Sequence, residues 1–330
     1  MTRLRWTASQ NHYESLAVSL RAVLAHFQQD RSYDELLAAL GLGTATVAVP
    51  DDPLGWWCTC ARDLWLAETA KLYGLQLREM HPPQTALGLG RSPEYAQHFR
   101  DSYVPLVARA LEHEQLVLAW CGWPSPCDRL WGVITHVDGQ MLVGQTLSRD
   151  RRSLPLTGPA NQLYIVEGFD PPGLESATPT DFFDHAARAA SAMWSGAWAA
   201  ELDIQMGPSA YQVWQTTLRA SAKEPAATPS LHSQQSRATR VHAAARTYLA
   251  TWLRRIAGAL AGDRIQMAAH WANACDRIAE RLLPYESADV VRELLDQPGG
   301  VDRICRALDD ICALESNVVE TLETLTSPGS

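Results

Sequence analysis

The sequence predicts an α+β protein in which helices pack on an antiparallel sheet, followed by an all-α helical bundle. Residues 14–29 repeat apolar side chains at helical spacing, which predicts a buried helix near the N-terminus. From about residue 117 the pattern becomes that of extended strands, and beyond residue 168 the composition turns rich in alanine. Helices, then a sheet, then more helices are typical of an α+β domain joined to a helical one.

Four helices are predicted before most of the sheet. The first covers residues 14–29, and a capping-box pattern at Ser32 and Glu35 opens a short second helix that ends near Gly41 or Gly43. Pro50, Pro53 and Gly55 then interrupt regular structure. A third helix is expected at about 59–73, and a short strand at 75–80 follows it. Irregular chain is expected at 82–98 and a fourth helix at about 104–113.

The central part of the chain predicts an antiparallel sheet. Apolar runs bounded by Gly, Pro or Asp occupy residues 117–121, 131–137, 140–145 and 163–167. Asp138-Gly139 lies between two of these runs and is the strongest hairpin signal in the sequence.

The second half predicts a helical bundle. Thr178 and Asp181 indicate the capped start of a helix that runs to about residue 200, and Pro208 indicates another start. Later helices are expected from about residue 241 onward and at 264–283, 288–295 and 301–325, with connections short enough for antiparallel packing. We therefore expect an α+β domain at 1–170, connecting helices at 171–220, a flexible linker without an apolar stripe at 221–236, and the bundle at 237–330.

Charge and hydropathy exclude several classes of partner. The net charge of −9 disfavours a broad phosphate-binding surface, so neither DNA nor RNA is expected to bind. The first residues carry arginines with no apolar run behind them, and no later stretch approaches ~18 consecutive apolar residues, so we expect no secretion signal and no membrane contact. These patterns favour a cytoplasmic protein.

The seven cysteines favour reduced thiols, because their number is odd and the last three fall on apolar positions of predicted helices. Cys58, Cys60, Cys121 and Cys127 could supply four zinc ligands, but the CxC and Cx5C spacings differ from the usual CxxC knuckle. No phosphate-loop, HExxH or strand-linked GxGxxG motif is present. We expect neither a metal nor a cofactor.

Several motifs carry a resemblance to a known fold. Residues 12–15 (HYES) lead directly into the apolar helix, and further fragments are DPLGW at 52–56, VLAWCGWP at 117–124, LWGVITHVDG at 130–139 and GPSAYQVW at 207–214. The order of elements is similar to papain-like cysteine peptidases. More closely, it resembles the bacteriocin-processing peptidases, the N-terminal domain of butirosin biosynthesis protein H, and a bacterial family that adds a C-terminal helical region.

The resemblance implies where the catalytic residues would stand. Ser15 occupies the position of the nucleophilic cysteine, the base position falls at about Leu130, and the orienting acid falls at about Gln145. Leucine and glutamine cannot serve those roles, and a serine hydroxyl without a hydrogen-bonded base is a poor nucleophile at pH 7. The resemblance therefore implies a degenerate catalytic site.

Other residues remain candidates for the same site. A shifted alignment would bring His136 and Asp138 toward Ser15, although a solvated place beside the hairpin turn is the favoured interpretation. Gln10 stands near the spacing of the glutamine that stabilises an oxyanion in papain-like enzymes. The remaining candidates for a cleft are His12, for which a capping or loop role is favoured, Glu14, which suits the positive end of the helix dipole, and Trp120 and Trp131, which aromatic packing would also explain.

Three functions follow from these patterns. The leading hypothesis is a non-catalytic protein that binds a peptide or small amine-bearing metabolite in the former active-site cleft, with the helical half as lid or as the surface of a homo-oligomer. The second is an acyltransferase, as the resemblance to butirosin biosynthesis protein H implies. The third is a structural or oligomerisation protein in which the bundle matters more than the cleft.

Overall fold

The computed structural model describes residues 4–9, 12–48, 64–80, 93–148, 152–196, 204–221 and 228–326. Up to residue 112 its elements are α1 (Ser15–His26), α2 (Tyr33–Ala39), β1 (Val47–Ala48), α3 (Leu64–Leu72), β2 (Leu75–Glu79), α4 (Pro93–His98), a π-helical turn (Phe99–Tyr103) and α5 (Val104–Glu112). Next come β3 (Val117–Trp120), β4 (Trp131–Asp138), β5 (Met141–Thr146), β6 (Leu154–Pro155), β7 (Gln162–Phe169), α6 (Pro171–Ser176) and α7 (Pro179–Ser195). The last are β8 (Gln205–Met206), α8 (Gly207–Ser221), α9 (Thr228–Ala257), α10 (Asp263–Leu282), a 3-10 turn (Leu283–Tyr285), α11 (Ala288–Leu295) and α12 (Gly300–Thr326).

The protein has the predicted α+β class, with helices, an antiparallel sheet and a C-terminal run of helices. The chain divides into two compact units, and the division differs from the predicted domains. The first unit comprises Met1–Leu36 and Ala61–Ala177, and the second comprises Leu37–Cys60 and Thr178–Ser330. An early stretch of chain thus belongs with the late helices, and the helices at 178–221 are part of the second unit rather than a connection to it.

The six-stranded sheet of the first unit has the order β2-β7-β3-β4-β5-β6, and its neighbouring strands are antiparallel. The predicted hairpin is confirmed, because Asp138 pairs with Met141 at the end of β4 and β5. Gly139 has a φ of 61°, the left-handed conformation that an Asp-Gly turn requires.

The two faces of this sheet carry different helices. Side chains from β3, β4, β5 and β7 on one face form an apolar cluster with Tyr95, Phe99 and Val107 of the α4–α5 region. The alternate residues, including Trp120, Trp131, Gln145 and Tyr164, point to the other face because successive side chains of a strand alternate. Helix α1 packs against β4 but contributes no residue to the first cluster, so it covers this second face.

Two apolar clusters of described residues lie in the second unit. One joins Phe183 of α7, Leu249 and Leu253 of α9, Trp271 of α10 and Leu322 of α12. The other includes aromatic residues of α8, the C-terminal ends of α10 and α11, and residues of α12 from Ile304 to Val319. Helices α9 and α10 form the most extensive pair, as expected for long helices joined by a short connection.

The prediction of a flexible linker at 221–236 is wrong from residue 228, where α9 begins, and residues 222–227 lie outside the described chain. The first turns of α9 lack an apolar stripe because the side chains that they bury are polar. Gln235 accepts a hydrogen bond from the Trp214 indole at 2.6 Å, and the Ser236 hydroxyl donates to the Glu286 carbonyl at 2.6 Å. Residues 93–98, expected to be irregular, also form a helix.

The predicted helix starts are confirmed by their caps. Thr178 and Asp181 form a reciprocal capping box at the start of α7. The Ser32 hydroxyl accepts a hydrogen bond from the Glu35 N–H at 3.4 Å near the start of α2. Helix α2 ends at Ala39, near the predicted Gly41, and from Leu37 onward the chain belongs to the second unit, a change of partner that no local pattern indicates.

Candidate functional site

Ser15, the predicted nucleophile position, lies where α1 meets the start of β4. It is the first residue of α1 and is 3% exposed. Its hydroxyl oxygen accepts a hydrogen bond from the backbone N–H of Trp131 at 2.9 Å. Since Trp131 directly follows Leu130, the side chain at the nucleophile position faces the part of the strand where the base was predicted, and a leucine stands there.

Gln145 is not opposite the predicted base position. The register pairs Gln145 with Val133 and Thr146 with Gly132. If the same register is continued by two residues along each strand, Ser148 lies opposite position 130. Gln145 is therefore displaced by three residues, about 10 Å along the strand. The register contains a β-bulge between Ile134 and His136, which the spacing of residues does not reveal. The Gln145 side-chain oxygen is buried, and no group of the described chain forms a hydrogen bond with it.

The shifted alignment is not supported by the positions of His136 and Asp138. His136 lies five residues beyond Trp131 on β4, about 15 Å along the strand from the residue that contacts Ser15. Its Nδ1 is 3.1 Å from the neighbouring Thr135 hydroxyl. Asp138 is exposed at the hairpin, still farther from Ser15. Neither side chain can act on the Ser15 hydroxyl in this geometry.

His12 lies just before α1 and is held as part of the loop. Its Nδ1 accepts a hydrogen bond from the Ser9 N–H at 3.2 Å, and its ring stacks on Tyr33 with centroids 4.0 Å apart. Burial and the nearby Arg21 lower the pKa of His12 to about 4, although Asp34 acts in the opposite direction. The imidazole is therefore neutral at pH 7 and its Nδ1 lone pair is already used.

Glu14 does not interact with the helix dipole as an exposed carboxylate, which corrects the sequence-based expectation. It precedes the first turn of α1, its side chain makes no capping hydrogen bond, and it is 6% exposed. Burial raises the pKa of Glu14 to about 8, so the neutral form prevails at pH 7. Its backbone N–H donates to the Tyr33 hydroxyl oxygen at 3.0 Å, which fixes the entry into the helix.

Trp120 and Trp131 form an aromatic wall on the α1 side of the sheet. Their rings are stacked with centroids 6.4 Å apart, and Trp131 also contacts Tyr164. The Trp120 indole donates to the Arg129 carbonyl at 3.1 Å, whereas the indole nitrogen of Trp131 is buried and has no hydrogen-bond partner among the described residues. Packing accounts for the aromatic surface of both residues.

Some predicted site residues lie outside the described chain. These are Gln10, the proposed oxyanion residue, and Cys58 and Cys60 of the disfavoured zinc site. Among the described residues no group of three or more His, Cys, Asp and Glu side chains is arranged to hold a metal. Within the same ranges no helix is long and apolar enough to cross a bilayer.

A buried ionic network in the second unit was missed by the sequence analysis. Arg246 of α9 is 1% exposed and contacts Glu315 of α12 at 2.6 Å. The same guanidinium donates to the Gly43 carbonyl at 2.7 Å and the Thr44 carbonyl at 2.8 Å. Tyr211 donates to the other Glu315 oxygen at 2.8 Å. Arg246 therefore links residues 43–44 to helices α9 and α12 within the second unit.

The electrostatics of this network favour one charge state. Burial alone would raise the pKa of Glu315, but Arg246 and hydrogen bonds from His242 and Tyr211 lower it below its usual value. Burial lowers the pKa of His242 to about 4, with Arg246 acting in the same direction, so this ring is neutral. The sequence did contain one signal, an arginine on the apolar face of α9 three residues before Leu249. Its partners lie 69 and about 200 residues away, beyond any local pattern.

No protein-family model matches the chain, and no curated protein matches it either. The relationship to papain-like peptidases therefore stays a prediction from the motifs quoted above.

Proposed function

We propose that the first unit is a papain-like domain that has lost catalysis and binds a peptide or small amine-bearing metabolite beside Ser15. The observation that carries the proposal is the hydrogen bond from the Trp131 N–H to the Ser15 hydroxyl. The helix and strand meet as the resemblance implies, yet leucine stands at the base position. A cytoplasmic location and self-association through the second unit belong to the same proposal.

The surroundings of Ser15 argue against covalent catalysis. A serine nucleophile needs a base that removes its proton, and in the described chain the group bonded to this hydroxyl is a backbone N–H, which cannot accept one. The nearest candidate imidazole, His12, uses its Nδ1 to hold the loop. Glu14 beside the helix start is neutral at pH 7, because burial raises its pKa to about 8, so it offers no carboxylate that could accept the proton.

Purified full-length protein is expected to show no turnover when incubated with acetyl-coenzyme A and a panel of primary amines, or with a mixture of unmodified peptides. Products are followed by mass spectrometry, and any background rate is expected to be the same in Ser15→Ala. Ser19→Ala, one turn later on the same helix, is the matched control for nonspecific damage to α1. Turnover that Ser15→Ala abolishes and Ser19→Ala retains would establish the acyltransferase or hydrolase alternative instead.

A further inference from the structure

Helix α2 belongs to both compact units of the chain. Its residues up to Leu36 fall in the first unit, and those from Leu37 onward fall in the second. Because α2 is one short, continuous helix of 7 residues, its two ends cannot move independently without breaking its internal hydrogen bonds. A group that holds one end of α2 therefore affects what the other end contacts.

The first end of α2 holds the entry into α1. The Tyr33 hydroxyl oxygen accepts hydrogen bonds from the backbone N–H groups of Tyr13 at 3.2 Å and Glu14 at 3.0 Å. The same side chain is buried, and its ring stacks on His12 with centroids 4.0 Å apart. One side chain of α2 thus positions the backbone just before Ser15.

The second end of α2 is joined to the buried ionic network of the second unit. The chain turns back after the helix, and the Gly43 N–H donates to the Leu37 carbonyl oxygen at 3.1 Å. The Gly43 carbonyl oxygen in turn accepts from Arg246 at 2.7 Å, and Arg246 contacts Glu315 at 2.6 Å. Every residue from 37 to 48 is buried, so these hydrogen bonds are shielded from competing water.

An uninterrupted series of hydrogen bonds therefore runs from the entry of α1, along α2, to the ion pair between α9 and α12. Each of the side-chain contacts in this series lies within one unit, and α2 is the element that the two units share. Packed and hydrogen-bonded elements of this kind carry energetic coupling between distant groups, and double-mutant cycles measure that coupling.

We infer that the Arg246–Glu315 pair positions the start of α1 through α2, so that the second unit controls how firmly Ser15 is held. Releasing Arg246 frees the turn after α2, loosens that helix, and lets the Tyr33 hydroxyl leave the N–H groups that precede α1. Arg246 is a positioning residue in this scheme, because it acts through other residues. The inference goes beyond the proposed function, since it concerns the placement of α1 and not what binds there.

Hydrogen exchange of residues 12–18, measured on the folded full-length protein, tests the inference. Arg246→Met is expected to speed this exchange at least about tenfold, because local opening no longer has to break the clamp. Thr46→Val is a milder variant that keeps the ion pair and removes a hydroxyl that accepts from Arg246 at 3.1 Å. It should speed exchange at 12–18 about threefold, as expected for the loss of one hydrogen bond.

Two controls distinguish coupling from a general loss of stability. Leu308 is 1% exposed in the apolar cluster of the second unit that contains no residue of the 37–48 segment. Leu308→Ala should destabilise the second unit about as much as Arg246→Met, because it leaves a cavity in the core. Arg254→Met makes the same substitution at an exposed position of α9. Both controls should leave exchange at 12–18 within about twofold of the unmodified protein.

The coupling must also act in the opposite direction, because a coupling free energy is the same seen from either site. Tyr33→Phe removes the hydroxyl acceptor and keeps the ring, and it should speed exchange of residues 41–48 about threefold. In the double variant with Arg246→Met, exchange at 12–18 should rise by less than the product of the two single effects, because both substitutions release the same contact.

Three results would overturn the inference: unchanged exchange at 12–18 in Arg246→Met, equal acceleration in Leu308→Ala, or independent effects of Arg246→Met and Tyr33→Phe. If Arg246→Met unfolds the second unit, Thr46→Val decides, and unchanged exchange in that variant overturns the inference as well. These measurements involve neither a ligand nor turnover. Failure of the coupling and failure of the proposed function are therefore observed separately.

Discussion

Arg246→Met is expected to lower the free energy of unfolding of the second unit by about 4 kcal/mol, because it leaves the Glu315 carboxylate buried without its cation. The carbonyl oxygens of Gly43 and Thr44 lose their donors in the same variant. Urea unfolding together with hydrogen exchange of peptides from α9 and α12 measures the loss. Peptides from residues 41–48 should lose protection as well, because Arg246 holds that segment.

Arg254→Met is the matched control, since it makes the same substitution on the same helix. Arg254 is 52% exposed and pairs with Asp276 at the surface. Exposed ion pairs contribute less than about 1 kcal/mol, so little change is expected. Adding Glu315→Leu to Arg246→Met should restore part of the lost stability, because it removes the unpaired carboxylate. Equal losses in Arg246→Met and Arg254→Met would show that the buried network does not stabilise the unit.

The stability of the first unit is expected to fall by about 2 kcal/mol between pH 6.5 and 8.5 because of Glu14. The pKa of this carboxyl is about 8 in the folded protein, against 4.5 as the ordinary value. Between those values the folded state binds more protons than the unfolded state. The contribution of Glu14 is therefore complete below about pH 4.5 and is lost progressively as the pH rises through 8.

Urea unfolding at a series of pH values checks this, and Glu14→Gln should remove most of the slope because glutamine does not ionise. The pKa of His12, lowered to about 4, makes stability rise with pH up to about 6.5, which is why the measurement starts there. Glu94→Gln changes an exposed glutamate of the same unit and should leave the profile as it is. A profile that is flat before any substitution, or unchanged by Glu14→Gln, would contradict the assignment of a buried neutral Glu14.

Local signals predicted the frame of the fold well. The Asp138-Gly139 turn, the Thr178 capping box and the apolar spacing of α1 each depend on residues close together in sequence, and each is confirmed. The start of α9 was missed because its buried face there is polar, with Gln235 and Ser236 pairing to side chains and backbone of other elements. Apolar periodicity detects only helices that bury apolar residues.

The candidate site was predictable in part. The meeting of Ser15 with the start of β4 follows from the motif order, and the structure places these residues in contact. The displacement of Gln145 depends on the register of β4 and β5, and the neutral state of Glu14 depends on its burial in the folded unit. The Arg246 network joins chain segments about 200 residues apart. Such features come from tertiary packing and leave little trace in local patterns.

The reactivity of the Ser15 hydroxyl most directly tests the central claim, which is that Ser15, the first residue of α1, is not a catalytic nucleophile. The full-length protein is incubated with an alkyl fluorophosphonate, which transfers its phosphonyl group to an activated serine and releases fluoride, and the intact mass and peptide masses are then recorded. We expect no adduct on Ser15, because its hydroxyl accepts a backbone N–H and has no base. An adduct on Ser15, formed by the folded protein and absent after urea unfolding, would contradict the account.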